Sequence, residues 1–301
     1  MAEVDHFAYG LVTPVTAYVI SVLGSLLGLN CTVRARNAPS ARRRVWFLLL
    51  AAWAIGGTGI WTMHFIAMIG FGVSGTEIRY DVPLTTASAL IAVVVVGVGL
   101  VVAGLGRPRA PKIILGGLFA GLGVAAMHYT GMAAMRFDGS VRYDDLLVAA
   151  SVAIAIVAAT AALWFTVTVR RPVAIFTSAL VMGLAVCGMH YTGMYAMEVH
   201  VHDDGGQLSG STAFALILPI ILLVILVVIA LIYAVLAVPT VEDLAGAAYV
   251  DARHAGRELA ASGPPEPSPP AGSLVADRTG GHGNPSARRQ SIPRATRRRR
   301  S

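Results

Sequence analysis

M-H-Y-T-G-M-A-A-M at residues 127–135 and M-H-Y-T-G-M-Y-A-M at 189–197 are one pattern read twice in a chain otherwise largely of Ala, Val, Leu and Ile. A looser copy upstream, M-H-F-I-A-M at 63–68, completes a nearly even series of His64, His128 and His190. Even spacing of like segments is the mark of a repeat architecture. The same histidine set three times into apolar surroundings also asks what an imidazole does there.

The surroundings are those of a membrane. With 56% hydrophobic and 13% charged residues and a mean hydropathy of +0.70, the 301-residue chain is not a water-soluble domain. Apolar runs at roughly 11–33, 45–71, 84–105, 113–135, 146–169, 174–197 and 213–238 each reach the ~20 residues an α-helix needs to cross the bilayer. Short alternating segments, as a β-barrel requires, are missing from these runs. The expected fold is all-α: a polytopic membrane protein of seven transmembrane helices, built from three parallel two-helix repeats plus a seventh helix. Because the period spans one outward and one inward helix, all three motifs fall on the even helices in one orientation, related by an axis along the membrane normal.

Charge sets the expected direction. The first, third and fifth loops carry Arg34, Arg36, Arg42, Arg43 and Arg44, then Arg107, Arg109 and Lys112, then Arg170 and Arg171, with no acid among them. Such loops stay in the cytoplasm. The opposite loops mix Glu77, Arg79 and Asp81, then Arg136, Asp138, Arg142, Asp144 and Asp145, then His200, His202, Asp203 and Asp204. The expectation is a multi-pass membrane protein, amino terminus outside and carboxyl terminus in the cytoplasm. Residues 1–10 hold Glu3 and Asp5 rather than a basic leader, so the first helix should serve as an uncleaved anchor. Cys31 and Cys187 fall at different depths and make a poor disulfide pair.

Residues 1–240 are therefore expected to form the membrane domain and 241–301 a disordered basic cytoplasmic tail, containing S-G-P-P-E-P-S-P-P-A-G at 262–272 and closing on an arginine cluster. The net charge of +7 comes from the inner loops and this tail, so it speaks of topology more than of nucleic acid; the arginine cluster could rest on the anionic inner leaflet, but a solvated tail is the favoured reading.

Each motif lies near the outer end of its helix, which sets the three histidines at one depth. At about 100° per residue the methionine four positions on falls at about 40° from the histidine and the one seven on at about −20°. His128, Met132 and Met135 thus share a stripe, as do His190, Met194 and Met197, while the first copy offers His64 and Met68 with Phe71 in the last place. Seven positions before each histidine stands a glycine, Gly57, Gly121 or Gly183, and three after it Ala67, Gly131 or Gly193. Small residues of this kind let membrane helices approach closely.

An imidazole in hydrocarbon is costly unless satisfied and marks a functional site by default. Imidazole with thioether suits copper above all, since zinc structural sites favour thiolates and magnesium favours carboxylates. The candidate metal ligands are His64, His128 and His190, next Met68, Met132 and Met194, then Met135 and Met197. Haem held between two of the histidines is the alternative cofactor, and a copper way station in a transporter the alternative function. The bland reading is polar packing, with Met as gap-filler. For one copy that reading is favoured; three copies at matched depth favour a site. His200 and His202 with Asp203 and Asp204 are read as a solvated loop.

At Met127-His128-Tyr129-Thr130 and Met189-His190-Tyr191-Thr192 the sequence resembles the MHYT-domain family of bacterial integral membrane sensors, over about residues 8–240. The resemblance implies a sensory domain in the plasma membrane of a bacterium that binds copper through His and Met and detects a diatomic gas such as oxygen, carbon monoxide or nitric oxide, and the chain itself is expected to be no enzyme. It also implies a cytoplasmic output. No nucleotide-binding motif accompanies the domain here, so signalling is expected to pass to a separate partner protein. The first copy departs from the pattern with Phe65-Ile66-Ala67 in place of Tyr-Thr-Gly.

Overall fold

The computed structural model describes residues 4–106, 109–201, 209–236 and 241–261. Seven helices among them are long and apolar enough to span a bilayer: α1 (Val12–Arg36), α2 (Ala41–Ile69), α3 (Val82–Gly104), α4 (Ala110–Ala133), α5 (Asp145–Thr168), α6 (Pro172–Tyr195) and α7 (Ala213–Leu236). The expected seven-helix membrane architecture is what the chain adopts.

Six of the seven close a ring. Each of α1 to α6 packs on its chain neighbour and α6 returns to α1. Within the ring α5 also reaches α1 and α3, and α2, α4 and α6 touch one another. α7 lies outside, against α2 and α1, and leaves Phe214, Leu222 and Leu226 exposed for lipid. Proline at the first turn of α3, α4 and α6 starts those helices where its missing N–H costs nothing. Asp81 and Asp144 cap α3 and α5, accepting from Leu84 N–H at 3.0 Å and Leu147 N–H at 2.9 Å.

Short antiparallel strand pairs tie each two-helix hairpin at its open end. β1 (Val4–Asp5), before α1, pairs with β2 (Gly72–Val73), after α2. β3 (Arg79–Tyr80), before α3, pairs with β4 (Met135–Arg136), after α4. β5 (Gly139–Tyr143), before α5, pairs with β6 (Met197–Val201), after α6. β7 (Ser211–Thr212) joins the free side of β3.

These strands shorten two helices relative to the sequence expectation. The apolar runs of α4 and α6 continue to about 135 and 197, but the helices stop at Ala133 and Tyr195, where the Asp81 and Asp144 N–H groups donate to the Ala134 and Ala196 carbonyls at 2.8 Å. Met135 and Met197 are consequently strand residues, paired with Tyr80 and Tyr143. The helical angle that would set them on the histidine stripe does not apply to them.

α2 also departs from a regular helix. Trp53–Thr62 is π-helical, and the Thr62 hydroxyl donates to the Gly57 carbonyl at 3.0 Å, five positions back. The stretch W-A-I-G-G-T-G-I-W-T holds three glycines, which weaken the α-helical ladder and let it widen. The wider turn changes which glycine makes the contact. A Cβ on Gly121 would fall 2.4 Å from Ile156 Cα and one on Gly183 2.8 Å from Val22 Cγ2, the close packing expected. On α2 the equivalent contact is made by Gly56, where a Cβ would fall 2.6 Å from the Ala92 carbonyl, whereas one on Gly57 would meet nothing nearer than 3.4 Å.

The second unit begins with α8 (Val241–Ala261), in the part of the chain expected to be unstructured. An alanine-rich stretch without proline accounts for the helix. The proline-rich remainder of that tail, and Arg107, His202, Asp203 and Asp204, lie outside the described residues.

Candidate metal centre

The ring brings together three residues that stand far apart in the chain. His64 on α2, His128 on α4 and His190 on α6 are almost wholly buried, at 2%, 0% and 1% exposure. His64 Nδ1 lies 3.0 Å from His190 Nδ1 and 3.1 Å from His128 Nδ1. One nitrogen from each ring falls within 4.8 Å of both others. The rings meet edge-on, with centroids 4.9, 5.0 and 5.1 Å apart and interplanar angles of 72°, 78° and 83°.

Proton counting shows that hydrogen bonds alone do not satisfy this arrangement, which could hold a cation. A neutral imidazole has one N–H and one lone pair, on different nitrogens. His64 Nδ1 can donate once or accept once, so it cannot satisfy both neighbours. The other nitrogen of each ring, Nε2, is buried with no hydrogen-bond partner among the described residues. A cation between the three Nδ1 atoms would take all three lone pairs together. Metal–nitrogen bonds of about 2.0 Å put three ligand nitrogens about 3.3–3.5 Å apart, close to the spacings seen.

The positions after the histidines complete the packing. A Cβ on Gly131 would sit 2.2 Å from His64 Nε2, and one on Gly193 2.2 Å from His128 Nε2. These glycines make room for the imidazole of the preceding hairpin rather than for a helix backbone. In the first copy the place is held by Ala67, which is buried in a small cluster with Cys187, Ala17 and Met63.

Met68, Met132 and Met194 are buried at 1%, 2% and 2%, one turn beyond the histidines on the same helices. Met135 and Met197 are also buried, on β4 and β6. His200 stands apart from the triad on β6, opposite Ser140.

Sequence reading missed the polar groups that hold the histidine helices in place. Tyr129 shares a hydrogen bond of 2.7 Å with Ser151 on α5. In the first copy, where Phe65 lacks the hydroxyl, Trp61 Nε1 donates instead to Ser88 on α3 at 3.0 Å. Ser88 and Ser151 are themselves one period apart, the signal that could have revealed them. Tyr80 closes over Phe65, with rings 5.5 Å apart, and donates to the Met68 carbonyl at 3.3 Å; burial pushes its phenol up from the ordinary range. A fourth imidazole, His6, lies tilted by 43° against the ring of Tyr195 with centroids 4.2 Å apart, and burial lowers its pKa against the opposing pull of Asp5.

Residues 57–116 and 121–179 match the family model MHYT, described as a bacterial signalling protein N terminal repeat. The chain thus carries MHYT repeats within residues 57–179. Two MHYT relatives come from Pseudomonas aeruginosa. The bifunctional diguanylate cyclase/cyclic di-GMP phosphodiesterase MucR is 36% identical over 196 residues, 64% of this chain and 28% of that protein. The cyclic di-GMP phosphodiesterase NbdA is 36% identical over 192 residues, 62% of this chain and 24% of its own. The Bacillus subtilis signaling protein YkoW is 28% identical over 204 residues, 65% of this chain and 25% of that protein. The chain thus spans about a quarter of the length of these relatives. No solved structure matches it.

Proposed function

We propose that the chain is a membrane sensor whose histidine triad holds copper, and that a diatomic gas or a redox change at that copper is the signal. The observation that carries this reading is the convergence of three imidazole Nδ1 atoms in a buried, apolar site. His64, His128 and His190 supply a three-nitrogen set, and Met68, Met132 and Met194 add thioethers one turn further along the same helices, a combination that suits Cu(I) better than zinc. Met135 and Met197 stand behind them, since the helical stripe that first grouped them ends before they are reached. Copper so held supplies a redox-active, gas-binding electron-rich centre; the protein's part is to fix the rings and exclude water. Ring centroids about 5 Å apart favour a bare ion over haem, which needs a slot as wide as the macrocycle between its axial ligands.

Gas reaches such a site through lipid. An apolar cavity of about 400 Å3 between α2, α3 and α7, lined by Trp61 and Thr62 among others, comes within two positions of His64 along the chain. The repeat reading, three parallel hairpins about an axis along the membrane normal, is supported by the like pairing of the three strand sets. The amino terminus outside, the carboxyl terminus in the cytoplasm, a membrane unit to residue 240 followed by a tail, and output through a separate cytoplasmic protein complete the proposal. The likeness to MucR, a diguanylate cyclase/cyclic di-GMP phosphodiesterase, and NbdA, a cyclic di-GMP phosphodiesterase, favours cyclic di-GMP signalling as the setting.

Elemental analysis and optical spectroscopy of the detergent-purified chain test this directly. Stoichiometric copper without a Soret band is expected, and its loss in the double variant His128→Ala, His190→Ala with helical content retained. Copper at the wild-type level in that variant overturns the assignment.

A further inference from the structure

At the end of the ring opposite the histidines, the last turns of α1, α3 and α5 meet the start of α2 around a second cavity. It measures about 210 Å3 and is lined by Arg36 at the end of α1, Arg44 in the first turn of α2 and Arg170 just past α5, with Thr32 and Thr166. No acidic side chain lines it among the described residues. Three like charges around one cavity need an explanation, because each repels the others at partial burial.

Part of that explanation is helix capping. Arg36 donates to the Thr166 and Val169 carbonyls at the end of α5, and Arg44 donates through Nη2 to the Gly104 carbonyl at the end of α3. Capping does not exhaust the donors. Arg44 Nε is buried without a hydrogen-bond partner among the described residues, and Arg170 also lines the cavity. Nor does it balance the charge. A helix end carries about half a negative unit, so the helix ends meeting here leave three guanidinium groups in clear excess.

The geometry points to a binding site for a phosphate or phosphoester group, clamped by Arg36, Arg44 and Arg170 in the arginine-lined cavity at this end of the bundle. Guanidinium forks match the oxygens of a phosphate and take them in pairs. At about 30 Å3 per water, the cavity has room for one such group with a few waters. Only the phosphate need enter. Anionic lipid headgroups and soluble phosphate compounds both carry the group and present the same oxygens.

The test uses the full chain in nanodiscs of phosphatidylcholine alone, titrated with inorganic phosphate against chloride at equal ionic strength and followed by thermal unfolding. Phosphate should raise the unfolding temperature saturably. Arg170→Gln removes no carbonyl cap and should weaken the apparent affinity at least about tenfold, the loss expected for a charge-assisted pair. Arg44→Gln should do the same where it folds, and the exposed Arg42→Gln, whose side chain does not line the cavity, should respond like wild type. A phosphate response no larger than that of chloride, or one equal in wild type and Arg170→Gln, overturns the site. Repeating the titration in nanodiscs containing phosphatidic acid identifies the source once the site is established. Abolition of the phosphate response there assigns the headgroup, and persistence assigns a soluble ligand.

Discussion

The histidines owe their meeting to residues that have no side chain. Gly131 and Gly193 leave the space that His64 and His128 occupy, and an added methyl would lie 2.2 Å from a ring nitrogen in either place. Gly131→Ala should therefore push His64 out of the triad, at a cost of about 1–3 kcal/mol in stability as overpacking usually does. Copper content should fall while the circular dichroism of the helices persists. Gly188→Ala, where nothing lies within 4 Å of the new atom, is the matched control and should bind copper as wild type does. Equal copper in both variants would contradict the packing described. The three histidines and their common depth were legible in the sequence because each repeat carries its whole helix pattern along with it. What these glycines face was not, since a small residue looks the same whether a backbone or an imidazole lies against it.

Among the elements, the strands and the π-helical turn were invisible to a reading based on apolar periodicity. Strands of two residues carry no alternation, and Tyr80 paired with Met135 leaves no trace in hydropathy. Gly56, Gly57 and Gly59 stand close together in α2, and nothing in the sequence distinguishes which of them makes the close contact, which lies at Gly56 rather than Gly57. The capping aspartates make a prediction at this level. Asp81 accepts from Leu84 N–H and pairs with Arg136 at 2.9 Å, and these contacts, the backbone bond first, hold its pKa below the ordinary 3.8. A carboxylate depressed in the folded state stabilises fully above its unfolded value and loses that contribution as pH falls through the folded one. Thermal unfolding should thus show a stability loss setting in below pH 3.8 that Asp81→Asn largely lacks. Identical pH profiles in the two proteins would mean that the cap contributes nothing to stability.

For the molecule as a whole, composition and loop charge were enough to foresee seven spanning helices, because hydrocarbon leaves the backbone few choices. The closing of six of them into a ring, with α7 outside, depends on side-chain fit that one sequence does not display. Labelling from either side of the membrane tests direction. With the buried Cys31 and Cys187 replaced by serine, Asp138→Cys should react with a membrane-impermeant maleimide on intact cells and Ser40→Cys should react only after lysis. The opposite pattern would invert the topology.

The strand ties have a mechanical corollary. Each helical hairpin is joined at both extremities, by a short loop at one and a ladder of backbone bonds at the other, so its two rods act as a single stave about 36 Å tall. A stave that pivots near mid-height cannot lean inward at its crown without swinging outward at its foot. Tightening the imidazoles around an ion by even a fraction of an ångström would then loosen the guanidinium end by a similar amount, leaving the two extremities of the barrel in opposition.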